Sequence, residues 1–128
     1  MWKIKKNDSQ DLDFVLNCLF CQSINLNEMS MCIDKVIEKS VLEKIPDYIF
    51  ELSGTNFDKF YISDIYEVIG FVTDGQFSKY DSAIYGIAFL RGIDVYDAPV
   101  SKEQALKALA ENPHILDEFT RFFPFVEI

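Results

Sequence analysis

Apolar residues along this chain recur mainly at three- and four-residue intervals, the spacing that gathers side chains on one face of an α-helix. Asp8-Ser9 supplies cap chemistry for a first helix running to about Gln22. Leu12, Val15, Leu16 and Leu19 make one stripe of it, and Phe14, Cys18 and Cys21 a second. Two stripes predict a helix buried on most sides, at the centre of a bundle. Phe14–Cys21 also has the composition of a buried strand, the competing reading for that stretch. Asn25 or Asn27 caps a second helix, in which Met29, Cys32, Ile33, Val36 and Ile37 face inward and Asp34, Lys35, Glu38 and Lys39 outward.

Ile45-Pro46 interrupts, because proline disfavours helical geometry in the residue before it. Pro46 suits the first turn of a short helix, Asp47 to Leu52, with Gly54 as its terminator. From Asn56 the series Phe57, Phe60, Tyr61, Ile65, Val68, Ile69 and Val72 is helical again, with Ser63 available as a new cap. Asp74-Gly75 signals a turn. The next helix spans Ser78 to Leu90 and stops at Gly92. After the loop opened by Asp97-Ala98-Pro99, Ser101-Lys102-Glu103-Gln104 is a capping box for a helix carrying Ala105, Leu106 and Leu109. Asn112-Pro113 ends that helix and starts the last one, with Ile115, Leu116, Phe119, Phe122 and Phe123 inward and Pro124 as its stop. The expectation is an all-α, irregular bundle of about seven short helices forming one domain over residues 1–128. The two ends, Trp2–Lys5 and Phe125–Ile128, are short enough and apolar enough to pair as minor strands.

Composition sharpens this picture. Hydrophobic residues make up 49% of the 128, enough for a globular core, and twelve of them are Phe; each buried aromatic removes roughly 150–250 Å² from water. The net charge of −9 repels phosphate backbones and anionic leaflets, which argues against direct nucleic-acid or membrane binding and favours a basic protein partner. The residues after Met1 turn polar at Asn7-Asp8-Ser9 and form no secretory h-region. The three cysteines fit a reducing, cytoplasmic setting better than a disulfide framework.

The chemistry of catalysis is sparse. The one histidine, His114, has no G-x-S-x-G partner and reads as a helix-end residue. Cys18-Leu19-Phe20-Cys21 has C-x-x-C spacing but sits mid-helix in an apolar run, where cysteines behave as small hydrophobes. A zinc site would need Cys32 and His114 brought in by the fold. Asp64 with Glu67, and Asp94 with Asp97, read as solvated acids rather than an acid–base pair. Gly70, Gly75, Gly86 and Gly92 form no phosphate-cradling loop. A non-enzymatic protein with no cofactor and no metal is expected.

The feature that stands out is local. All six tyrosines lie between residues 48 and 96, and residues 43–97 hold ten acids against four bases, which accounts for most of the net charge. Tyrosine is a stiff, amphipathic anchor enriched at interface hot spots, and surrounding carboxylates attract and orient a basic partner. Clustering of ordinary core tyrosines and solvated acids produces the same pattern. With acids and tyrosines interleaved in Asp64-Ile65-Tyr66-Glu67 and Lys79-Tyr80-Asp81, the chain resembles bacterial immunity proteins, particularly those of contact-dependent growth inhibition systems and more distantly the nuclease-colicin immunity proteins. The resemblance implies tight binding to one cognate toxin domain, whose basic nuclease surface the acids would occlude. Asp58, Tyr61, Asp64, Tyr66, Glu67, Asp74, Tyr80, Asp81 and Tyr85 are the candidate partner-binding residues. A cytosolic adaptor domain without a toxin is the alternative, and a nucleic-acid mimic a smaller third.

Overall fold

The computed structural model of the chain describes residues 3–4, 8–40, 45–53, 65–71, 73 and 77–128. Among them are seven α-helices: α1 Gln10–Phe20, α2 Leu26–Lys39, α3 Asp47–Ser53, α4 Ile65–Ile69, α5 Asp81–Leu90, α6 Lys102–Glu111 and α7 Pro113–Phe122. A single 3₁₀ turn, Ser78–Tyr80, leads into α5. The protein is an all-α bundle, with no strand among the described residues.

The strand reading of Phe14–Cys21 is therefore wrong, and the two-stripe helix is right. Leu12, Phe14, Val15, Leu16, Cys18 and Leu19 are all buried, which only a helix surrounded on several sides can achieve. α1 packs against α2 and α5, while Phe14 stacks on Phe122 of α7 with ring centroids 5.3 Å apart. Phe14, Phe119, Phe122 and Phe123 are at most 1% exposed, so α1 and α7 share an aromatic core.

The ends do not pair as strands where they are described, because their backbone groups are engaged elsewhere. The Lys3 carbonyl accepts from the Asp11 and Leu12 amides, and the Val126 amide folds back onto Phe123. Ser9 occupies the N-cap of α1 as expected, but its side chain makes no capping bond; Lys3 supplies the acceptor instead. Asn25 closes a capping box with Glu28 on α2, and Ser101 closes one with Gln104 on α6. Pro113 begins α7 at a position where its missing amide costs nothing.

Two helices differ from expectation in extent. Gly70, at φ +88°, follows α4, which ends at Ile69; Asn56–Asp64, Ser63 among them, and Val72 lie outside the described residues. The stretch from Ser78 starts as the 3₁₀ turn and becomes α-helical only at Asp81.

α5 and α6 approach most closely, and Gly86 is the reason. A Cβ built there would lie 2.5 Å from the Ala105 carbonyl oxygen and 3.0 Å from Leu109 Cβ. α7 closes over this pair, and α3 packs between α2 and α4.

Candidate functional site

The C-terminal end of α1 organises the surface of interest. Its last carbonyls are satisfied by a Schellman motif: the Gln22 amide bonds Leu19 and the Ser23 amide bonds Cys18, with Gln22 itself at φ +64°. α5 ends in the same motif, with Gly92 at φ +75° and the Ile93 amide bonding Ala88. The two ends are tied together by Arg91, which donates to the Ser23 carbonyl at 2.6 Å and forks onto both oxygens of Glu28 at 2.6 and 3.0 Å. Partial burial alone would raise the Glu28 carboxyl, but the Arg91 and Asn25 hydrogen bonds and the Arg91 charge hold it below the usual range.

A second tie holds the loop that follows α5. The Gln22 side-chain amide donates to the Tyr96 carbonyl at 2.6 Å and accepts from the Tyr96 amide at 2.8 Å, so both backbone groups of Tyr96 are clamped. Its side chain is nevertheless 83% exposed. Asp94 and Asp97 flank it, both exposed, and Asp97 sits at φ +51°. Tyr85 lies half-buried nearby: burial pushes its phenol up, and Cys21, Asp81 and Asp97 add to that from within electrostatic reach. Asp81, Tyr85, Asp94, Tyr96 and Asp97 thus belong to one region beside the ends of α1 and α5. An open cleft of about 500 Å³ borders it, lined by Ser82, Pro99, Val100, Gln104, Lys107 and Glu111.

The candidate residues distribute unevenly around this region. Asp58, Tyr61, Asp64 and Asp74 lie outside the described residues. Tyr66 is half-buried on α4, its ring 5.9 Å from Phe20, and Glu67 beside it is exposed. Tyr80 is half-buried between Phe77 and the edge of His114, whose ring centroid is 5.0 Å away, with Lys79 over its face. Asp81 is turned inward rather than displayed. Its Oδ1 is buried and accepts no hydrogen bond, its carboxyl faces the Cys21 thiol, and burial raises its pKa, with Asp13 adding to the rise. Tyr96 is one of the six clustered tyrosines but not one of the candidate partner-binding residues named from the sequence. A signal was available, since Asp94-Val95-Tyr96-Asp97 repeats the pattern of Asp64-Ile65-Tyr66-Glu67 in a stretch with Pro99 and no helical period.

The remaining reactive groups are structural in their geometry. Cys18, Cys21 and Cys32 are free and buried, and desolvation raises all three thiols, Cys32 to about 12. His114 is exposed in the first turn of α7, against Tyr80. No group of three or more His, Cys, Asp or Glu that could hold a metal ion occurs among the described residues. None of the described helices is long and apolar enough to cross a membrane. No family model, curated protein or solved structure matches the chain.

Proposed function

We propose that this protein is a toxin-neutralising immunity protein, which binds one basic toxin domain and blocks its active surface or a site beside it. The observation that carries the reading is the concentration of acids and tyrosines over residues 43–97, ten acids against four bases with all six tyrosines. The exposed, acid-flanked Tyr96 adds a surface on which those residue types meet solvent together. A carboxylate-rich face competes with phosphates for a nuclease's cationic site, and tyrosines convert that attraction into a desolvated, oriented contact. Binding here inhibits by occupancy, so it is stoichiometric.

The direct test is a titration of activity. The C-terminal domain of the protein encoded immediately upstream is purified, its cleavage of DNA and RNA is followed, and this protein is added in increments. Complete inhibition at one equivalent is the expected result. Cleavage that persists at large excess, or a domain with no toxic activity, removes the immunity reading and leaves that of an adaptor domain.

A further inference from the structure

We infer that the loop Gly92–Asp97 is the recognition element of this protein, a preorganised mount that presents Tyr96 between two carboxylates to a basic protein surface with a recess for an aromatic ring. The inference rests on the immunity reading and names the part of the chain that makes the contact.

The backbone at Tyr96 is fixed while the side chain is free. An exposed tyrosine on a mobile loop loses backbone and side-chain entropy when it binds, which weakens the association. Here the Gln22 amide clamps both the amide and the carbonyl of Tyr96, at 2.8 and 2.6 Å. The anchor of the clamp is itself fixed, because Gln22 closes the Schellman motif of α1. At Tyr96 itself only the two side-chain torsions remain to be ordered on binding.

Charge selects the same kind of partner. Between Arg91 and Lys102 the chain carries two acids, Asp94 and Asp97, and no base. Arg91 is not available to neutralise them, because it is engaged with Glu28 and the Ser23 carbonyl and its side chain is only 17% exposed. Exposed carboxylates on both sides of an aromatic repel phosphate, which disfavours stacking on a nucleic-acid base or insertion at an anionic bilayer. A guanidinium or ammonium group beside an aromatic-sized recess is the complementary chemistry. Apart from Tyr96 the loop is not a hydrophobic patch, since Ile93, Val95, Ala98 and Val100 are all half-buried.

The test measures the affinity of the purified upstream-encoded toxin domain, made catalytically inactive, for the intact protein and four variants by calorimetric titration. Tyr96→Ala is expected to weaken binding by about 30-fold or more, the scale of an interface hot spot. Its thermal unfolding should match wild type, because the lost side chain is exposed. Gln22→Gly keeps the left-handed helix end, which glycine favours, and removes only the clamp; a loss of roughly fivefold is expected from the loop entropy restored to the free state. Asp94→Lys with Asp97→Lys should weaken binding by about 100-fold. Glu38→Lys with Asp117→Lys, two exposed acids on α2 and α7, makes the same change in net charge and should change affinity by no more than about twofold. A toxin domain that binds Tyr96→Ala as tightly as wild type overturns the loop assignment and leaves the immunity reading standing. A toxic domain that wild type does not bind overturns both.

Discussion

Asp13 and Asp81 show how differently two carboxylates within electrostatic reach of one another can be treated by one fold. Asp13 is 2% exposed and fully supplied with donors, accepting from Thr73 Oγ1 at 2.7 Å, the Phe77 amide at 3.0 Å and Asn17 Nδ2 at 3.3 Å. It thereby fixes the approach to α5 against α1. Asp13→Ala should cost about 2–3 kcal/mol in urea unfolding, since it strands buried donors; a loss below about 0.5 kcal/mol would contradict this role. Asp81 has a buried Oδ1 that accepts no hydrogen bond, and burial raises its carboxyl above the usual value, against the lowering effect of the Cys21 thiol. A carboxyl whose pKa is raised on folding adds stability below its unfolded value, near 3.8, and loses it as pH rises through the folded value. The stability of Asp81→Asn relative to wild type should therefore increase from acidic toward neutral pH in parallel denaturation curves. A constant difference would show that Asp81 titrates normally. Neither role was apparent from composition, because acids on helices are usually solvated. The two apolar stripes of α1 gave no clue, because position 13 falls in the wide gap between them with Gln10 and Asn17, and only the tertiary contacts from Thr73 and Phe77 cover it.

At the scale of elements, stop and start signals were the most legible part of the sequence. Asn25 with Glu28, Ser101 with Gln104, and Pro113 act locally, so their spacing alone places the starts of α2, α6 and α7. The beginning of α1 was less legible because its capping acceptor is the Lys3 carbonyl, recruited from outside the helix. Close packing was hidden too. Nothing in the local sequence marks Gly86, yet it is the contact between α5 and α6. Gly86→Ala gains about 1 kcal/mol of helix propensity but drives a methyl into the Ala105 carbonyl, and the net expected loss is about 1–3 kcal/mol. Gly92→Ala has open space around it and a left-handed backbone, so it should cost only about 1 kcal/mol, from φ alone. Chemical unfolding of the two variants checks the order; a stabilised Gly86→Ala would mean that the helices separate easily.

For the whole molecule, charge was visible from the start and exposure was not. Asp64-Ile65-Tyr66-Glu67 and Asp94-Val95-Tyr96-Asp97 carry the same pattern, but Tyr66 packs on Phe20 whereas Tyr96 stands 83% exposed. Tertiary packing decides between those fates, and no local spacing encodes it. A net charge of −9 should steer a basic partner, so the association rate should fall by roughly tenfold or more from low to high salt while dissociation changes little. A salt-independent rate would mean the acids play no part in encounter. The central claim meets its most direct test in living cells, by counting survivors when the upstream-encoded toxin domain is induced with and without this protein. Death without it and survival with it, lost again with Tyr96→Ala, is the result this account predicts. Equal survival in both cultures, or equal killing, would contradict it.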